Sequence, residues 1–202
     1  MDDSILSSRP SHGYKLLIKE RRNSLEGQLS CIFRDGDRFV FEVGSGHGHF
    51  LTAYAQRHPD EVCVGIDIIG ERVERATRKR DRANLRRLHF LHAEAGLFLE
   101  TVPPAVLITR VFVLFPDPWP KSRHHKHRVI QPGFLSLLRS RVCSNAELFF
   151  RTDYRPYFEH ALATVTSHPD WRVSDTAWPF EHESVFQQRA EIHYSFSAGL
   201  RH

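Results

Sequence analysis

Residues 38–50, RFVFEVGSGHGHF, are the part of the sequence that decides the fold. The stretch begins with a short apolar run that ends at Gly44, a pattern typical of a buried β-strand. From Gly48 the pattern changes to that of a helix, which Pro59 ends. The glycines between these elements allow a tight turn and let a ligand contact the backbone directly. A ligand-binding turn between a strand and a helix is therefore the first prediction.

Apolar runs and helical patterns continue to alternate along the chain. Strands are predicted at 38–44, 61–68, 87–93, 105–114, 147–153 and 171–175, with a weaker seventh at 191–196. Helices are predicted at 48–59, 72–84, 94–101, 131–141 and 154–167. This alternation predicts an α/β fold, doubly wound and Rossmann-like, with a mostly parallel seven-stranded sheet. The run 105–114 is apolar almost throughout and is typical of a central parallel strand.

Composition and length favour one soluble globular domain. The chain has 202 residues, of which 41% are hydrophobic and 26% charged. We predict an N-terminal arm at 1–35, with one or two short helices, and a single domain at 36–202. The longest apolar run, 105–115, is too short to span a membrane, and the first residues lack an apolar signal segment. Three distant cysteines favour reduced thiols and a cytoplasmic location, with Cys63 and Cys143 in the core.

Positive charge is concentrated in two segments. The formal net charge is +4, but residues 71–87 hold eight Arg or Lys against three acids. Residues 121–128 hold four Arg or Lys and three His without an acid. Such segments favour a polyanionic partner. For residues 71–87 a solvated helix face is an equal alternative, because the acids recur there at helical spacing.

The glycine-rich turn has the pattern Glu42-x-Gly44-x-Gly46-x-Gly48. A dinucleotide-binding fingerprint would need glycine at position 49, where this chain has histidine. The observed spacing, with an acid two residues before the first glycine, resembles the first motif of S-adenosylmethionine-dependent methyltransferases. The ammonium and sulfonium groups of S-adenosylmethionine favour a nearby carboxylate such as that of Glu42.

Further acids follow the next strands in order. Asp67 ends the second predicted strand, and an acid at this position can accept hydrogen bonds from both ribose hydroxyls. Glu94 follows the third strand and Asp117 the fourth. Each acid could instead cap a helix or stabilise its N-terminal dipole. Four strand-end acids in order nevertheless favour a cofactor pocket.

Two later segments resemble one family. Residues 115–135, FPDPWPKSRHHKHRVIQPGFL, and 147–162, ELFFRTDYRPYFEHAL, closely resemble the tRNA (guanine-N7-)-methyltransferase family. That family has an F-P-D-P-W-x-K-x-R-H-x-K-R-R-x-x-Q segment after its fourth strand. Its T-D-x-x-P-Y segment is matched here by Thr152, Asp153, Pro156 and Tyr157. The resemblance runs from about Phe41 to Trp171.

The resemblance implies a reaction and a set of site residues. The family transfers a methyl group from S-adenosylmethionine to N7 of the guanosine at position 46, in the variable loop of tRNA. By motif, Glu42, Asp67, Glu94 and Asp117 would bind the cofactor with the glycine turn, and Lys121 and Asp153 would bind substrate. The family's guanine-binding T-x-F-E-x-R segment is represented by Ser184, Gln187 and Arg189. Gln187 departs from the family's carboxylate, and Glu94 stands where aspartate is usual.

The chemistry asks for positioning and charge stabilisation. Guanine N7 has an in-plane lone pair and no proton, so it needs no general base, and Asp117 or Asp153 could stabilise the positive charge that develops. Phosphate contacts are predicted for Lys121, Arg123, Lys126 and Arg128. Trp119 would stack on a base or, more readily, pack the loop onto the sheet. The histidines lack zinc-type spacing with cysteine, so no metal is predicted.

Two alternative functions remain open at this point. The first is a methyltransferase of the same fold that acts on another RNA guanine or a small base, which Gln187 favours. The second is a tRNA-binding relative without catalytic activity, which the intact turn, Glu42 and Asp67 disfavour. The expected partner is tRNA, with no membrane, and the protein is expected to be a monomer or homodimer.

Overall fold

In the computed structural model, the described residues are 12–181 and 192–201. They form a seven-stranded β-sheet between two layers of helices. The elements, in chain order, are α1 His12–Ile32, β1 Arg38–Val43, α2 His49–Arg57, β2 Val62–Asp67, α3 Gly70–Arg82, β3 Leu88–His92, α4 Ala95–Thr101, β4 Leu107–Leu114, a short 3-10 helix Ser122–His127, α5 Pro132–Arg139, β5 Val142–Thr152, α6 Arg155–Ser167, β6 Trp171–Ser174 and β7 Tyr194–Leu200. Three predicted substrate residues, Ser184, Gln187 and Arg189, lie outside the described residues.

The sheet has the strand order β3-β2-β1-β4-β5-β7-β6. Neighbouring strands from β3 to β5 run parallel, and β7 runs antiparallel to both β5 and β6. This confirms the predicted doubly wound, mostly parallel sheet of seven strands. The order reverses between β1 and β4, because the chain moves outward from β1 to β3 and then returns to the other side of β1. Ligands bind at such a reversal, beyond the carboxyl ends of the strands.

Side chains of the central strands alternate between the two faces of the sheet. Phe39 and Phe41 of β1 lie in a core under α1, α4, α5 and α6. Val40 lies in a second core under α2 and α3. Glu42 has the same parity as Val40, so its carboxyl group lies on the α2 side of the sheet.

Two predicted strands differ in extent from the observed ones. The strand predicted at 147–153 begins five residues earlier, at Val142, because exposed Ser144 and Asn145 interrupt the apolar pattern. The strand predicted at 191–196 begins at Tyr194 and continues to Leu200. Cys63 and Cys143 are buried free thiols, as predicted.

The N-terminal segment contains one long helix instead of the predicted one or two short helices. α1 has 21 residues, and its Leu25 and Leu29 are buried together with Phe33. These three side chains belong to the same core as Phe39 and Phe98. The polar residues of α1 concealed this helix, since its apolar face is confined to its C-terminal half. Within the ranges described above, no helix combines the length and hydropathy needed to cross a bilayer.

Gly48 joins the glycine turn to α2 where no larger residue fits. Its φ is +69°, in the left-handed region that favours glycine. A Cβ atom at this position would lie 2.5 Å from Phe90 Cζ and 2.8 Å from Ala76 Cβ. The turn therefore packs directly on β3 and α3. This contact fixes the position of its backbone relative to the sheet.

Gly48→Ala should lower the free energy of unfolding by about 2–4 kcal/mol, because it adds overpacking to an unfavourable φ. Urea denaturation would measure this loss. Gly27→Ala is the control, since Gly27 is helical and a Cβ there would meet nothing within 4 Å. The control should stabilise the protein by about 0.5–1 kcal/mol. Equal effects of the two substitutions would contradict the packing argument.

Candidate functional site

The carboxyl ends of the parallel strands bring the predicted acids to one edge of the sheet. Glu42 lies at the end of β1, Asp67 ends β2, and Glu94 is the residue immediately before α4. Asp117 and Asp153 follow β4 and β5. Because these strands are adjacent in the sheet, the acids predicted from separate parts of the sequence line one edge.

Glu42 is a buried carboxyl group with an unsatisfied oxygen. It is only 3% exposed, and its Oε2 atom is buried without a hydrogen-bond partner among the described residues. Burial, reinforced by the nearby negative charge of Asp67, raises the pKa of Glu42 to about 8. A buried ionised carboxylate without a counter-charge is costly, so this site favours a cationic ligand.

Asp67 holds the glycine turn in place. Its Oδ2 atom accepts a hydrogen bond from Gly46 N–H at 2.9 Å, and its Oδ1 atom accepts one from Ile69 N–H at 2.9 Å. Each oxygen has a second lone pair, so the carboxylate can still accept from a ligand hydroxyl. The guanidinium of Arg72 lies 3.8 Å away. Asp67 thus has a structural role in addition to its predicted contact with the cofactor.

The glycine turn leaves room for a ligand above the backbone. A Cβ atom added at Gly44 or Gly46 would meet nothing within 4 Å, although both residues have positive φ. Next to the turn, Ile68 is 63% exposed and Ile69 is 40% exposed. These exposed isoleucines, directly after a strand-end acid, offer apolar surface that a flat heterocycle could cover. Sequence reasoning missed them, although their position after Asp67 was an available signal.

Glu94 lies on the same edge but is far more open than Glu42. Its side chain is exposed, and its Oε1 atom lies 3.8 Å from Arg21 of α1. It makes no side-chain hydrogen bond that caps α4. The geometry therefore does not support the alternative that the side chain of Glu94 caps α4.

The loop after β4 is held in a strained conformation. Phe115 and Trp119 have positive φ values of 47° and 44°, which are unfavourable for bulky residues. The loop is fixed where Phe115 N–H donates to the carbonyl of Arg151 at 2.8 Å. Strained backbone of this kind is concentrated at functional sites, where the surrounding structure maintains it. The loop therefore has a defined conformation at the edge of the sheet, and Asp117 within it is exposed.

The basic residues of this loop separate into two groups. Lys121, Arg123 and Lys126 are exposed, which fits their predicted phosphate contacts. Arg128 is only 3% exposed, donates from Nε to the carbonyl of Pro118 at 3.0 Å, and stacks over the ring of Tyr157. These contacts anchor the loop to α6. The Nη2 atom of Arg128 is buried without a hydrogen-bond partner among the described residues, so its phosphate contact stays a prediction.

Trp119 packs within the loop. Its ring lies 5.1 Å from that of His127 and 5.7 Å from that of His124, measured between centroids. The sequence predicted that Trp119 packs the loop onto the sheet. In the structure its ring instead contacts two histidines of the same loop.

Asp153 is exposed immediately after β5, next to a cluster around the buried Arg151 that the sequence did not reveal. Arg151 donates two hydrogen bonds of 2.8 Å to the carboxylate of Glu181 and one of 2.9 Å to Ser195 Oγ. Its guanidinium also lies 3.9 Å from the centre of the Trp178 ring. This cluster joins β5 and β7 to Trp178 and Glu181, which follow β6. The partners are distant in sequence, so no local pattern could indicate it.

The comparisons with known proteins show the fold class and the family of this chain. The model of a family described as "Putative methyltransferase" matches residues 37–197. Two solved structures share the fold: an antibiotic-related methyltransferase (TM-score 0.58, 21% identity, 88% of this chain and 94% of that one) and the aminoglycoside resistance methyltransferase NpmB1 (TM-score 0.57, 18% identity, 89% and 93%). At these identities the likeness shows the fold alone. The fold and the family match define a protein of the methyltransferase class.

Relatives in sequence give the particular family. The tRNA (guanine-N(7)-)-methyltransferase of Leifsonia xyli subsp. xyli is 37% identical over 70% of this chain and 62% of its own length. The protein of the same name from Chromohalobacter salexigens is 32% identical, over 78% and 62%. That from Nitrosomonas europaea is 30% identical, over 80% and 73%. The chain belongs to the tRNA (guanine-N7-)-methyltransferase family. It spans about three-fifths of the length of the first two relatives, at 62%.

Glu42→Gln should change how stability depends on pH. The folded-state pKa of Glu42 lies above its ordinary value, so this group's contribution to stability is complete at low pH and is lost as pH rises from about 4.5 to about 8. The amide cannot titrate. Relative to the wild type, the variant should therefore gain up to about 4 kcal/mol between pH 5 and pH 9. Urea denaturation across this range would measure the difference, and a constant difference would contradict the assignment.

A double-mutant cycle would measure the cluster at Arg151. Arg151→Lys and Glu181→Gln should show a coupling free energy of about 1–3 kcal/mol, because the arginine is buried and the pair is bidentate. The exposed pair Arg155 and Glu159 provides the matched control, with an expected coupling of about 0.5 kcal/mol or less. Similar coupling in the two cycles would contradict a special role for Arg151.

Proposed function

We propose that this protein transfers a methyl group from S-adenosylmethionine to N7 of a guanosine in tRNA, at position 46 of the variable loop. The observation that carries this proposal is the buried carboxyl oxygen of Glu42, which has no hydrogen-bond partner among the described residues and lies beside an open glycine turn. Family membership gives the reaction, and the exposed basic loop supports an RNA substrate.

The chain's residues fit the proposed cofactor. Glu42 would face its cationic amino acid end, Asp67 would accept from ribose hydroxyls, and Ile68 would cover the adenine. Glu94 would accept from the polar edge of the adenine, and Asp117 would lie where cofactor and guanine meet. When bound, the cofactor supplies an electrophilic methyl group on a sulfonium.

The remaining residues would position the guanine. N7 carries an available lone pair, so this chain needs to orient the base and exclude competing geometries more than to remove a proton. Asp153 would accept hydrogen bonds from the guanine edge, and Asp117 or Asp153 would stabilise the positive charge that develops on the base. Lys121, Arg123 and Lys126 would contact flanking phosphates.

A direct test uses purified chain, S-adenosylmethionine and unmodified tRNA. The proposal predicts N7-methylguanosine, mapped to the variable loop. Methylation of a different RNA guanine would support the alternative that Gln187 suggests, since an amide accepts hydrogen bonds at one atom only. tRNA binding without cofactor binding would support a non-catalytic relative. Either result would contradict the proposed function.

Asp153→Ala should reduce methyl transfer to tRNA by about a hundredfold or more, because it removes a carboxylate from the reacting base. Calorimetry should show unchanged affinity for S-adenosylmethionine, since the proposed contact of Asp153 is with the guanine and not with the cofactor. Asp35→Ala is the control, because Asp35 is also an exposed acid but lies before β1, at the opposite edge. Wild-type activity in Asp153→Ala would remove Asp153 from its proposed role.

A further inference from the structure

We propose that a second basic surface, formed by the glycine turn and α3, binds the sugar-phosphate backbone of the tRNA on the opposite side of the cofactor site from the loop after β4. This α3 surface consists of His47, His49, Arg75, Arg78, Lys79 and Arg82. The inference rests on the proposed function, because it concerns the same substrate. For residues 71–87 the sequence left two alternatives open, a polyanion-binding segment and a solvated helix face. The proposal favours the first.

The α3 surface is a concave site without an acid. Its six residues line a cavity of about 330 Å³, and every one of them is basic or carries an imidazole. Four of them recur at the spacing of one helix face, from Arg75 to Arg82. The other face of α3 buries Val73 and Ala76, so packing directs the basic face outward. A helix face that only contacts solvent would not require a cavity lined by side chains of one charge sign.

Contacts between the turn and α3 make the surface a single unit. Lys79 Nζ donates to the carbonyl of His47 at 2.9 Å. Burial, with a smaller contribution from the nearby positive charge of Arg82, lowers the pKa of Lys79. The fold holds these like charges close at a cost that a bound anion would offset.

The neighbouring acids do not neutralise this surface. Glu71 lies 2.6 Å from Arg75 and Glu74 lies 3.8 Å from Arg78, but both pairs are exposed. Exposed ion pairs contribute little and exchange readily with solvent or with a phosphate. The four Arg or Lys residues of the surface outnumber these two paired acids, which leaves a balance of +2.

The sign of the charge distinguishes the α3 surface from the cofactor pocket. Glu42 and Asp67 make the pocket suited to a cation, whereas the α3 surface would repel the ammonium and sulfonium of S-adenosylmethionine. One isolated phosphate would also engage only part of a surface with four Arg or Lys residues. A polyanion that passes several phosphates over the surface fits its extent.

The position of the surface agrees with an RNA that crosses the edge of the sheet. The turn follows β1 and α3 follows β2, while the basic loop 115–128 follows β4. β2 and β4 are separated only by β1, a distance of about 10 Å between their axes. Two basic surfaces therefore flank the acidic pocket, and a backbone that contacts both would place a base between them.

The test measures tRNA binding as a function of salt, separately from methyl transfer. The variant Arg75→Ala/Arg78→Ala/Arg82→Ala removes three exposed charges, and alanine is favourable in a helix. We expect the Kd for unmodified tRNA to rise about tenfold or more at physiological salt. The slope of log Kd against log salt should fall by about 0.7–0.9 for each phosphate that the variant no longer neutralises. Affinity for S-adenosylmethionine and the thermal midpoint should not change.

The matched control removes three exposed arginines at the amino edge, in the variant Arg34→Ala/Arg57→Ala/Arg139→Ala. It should retain the wild-type Kd for tRNA within about twofold and the wild-type salt slope. An α3 variant no weaker than this control would overturn the inference, as would an equal decrease in cofactor affinity. Because binding is the readout, wild-type protein that binds tRNA without methylating it would overturn the proposed function and leave this inference standing.

Discussion

Two buried carboxyl groups at the ends of neighbouring parallel strands constrain the rest of this structure. Asp67 accepts from the backbone of the glycine turn at 2.9 Å, and its charge helps to raise the pKa of Glu42 to about 8. A chain that only needed stability would not place two acids together in a buried position. Their proximity is best understood as a site prepared for a cation, with the turn held open above it.

The charges of the molecule follow from this pocket. Acidic side chains lie at the carboxyl ends of the strands. Basic side chains lie on the elements on either side, α3 and the loop after β4. The loop after β4 supplies exposed Lys121, Arg123 and Lys126, while buried Arg128 and Tyr157 hold that loop against α6. Under the proposed function, this arrangement would let a cationic cofactor and a polyanionic substrate bind side by side without competing for the same groups.

The fold could be predicted from the sequence because its signals are local. The apolar runs, the glycine turn and the strand-end acids each lie within a few residues, and a parallel sheet brings them to one edge. The length of α1 was missed because its buried residues are few and lie near its end. The burial of Arg128 and the cluster at Arg151 were overlooked because the partners of these residues, Tyr157 and Glu181, lie at some distance along the chain. Burial of a charged side chain depends on tertiary packing that no short pattern reports.

The number of protons released when S-adenosylmethionine binds tests most directly whether the buried acids form a site for a cation. Titration calorimetry at pH 7, in buffers of different ionisation enthalpy, gives this number without reference to methyl transfer. If Glu42 is protonated in the free protein and faces the cationic end of the cofactor, binding should release about one proton. The Glu42→Gln variant should release none. Binding of the wild type without proton release would contradict this role of Glu42.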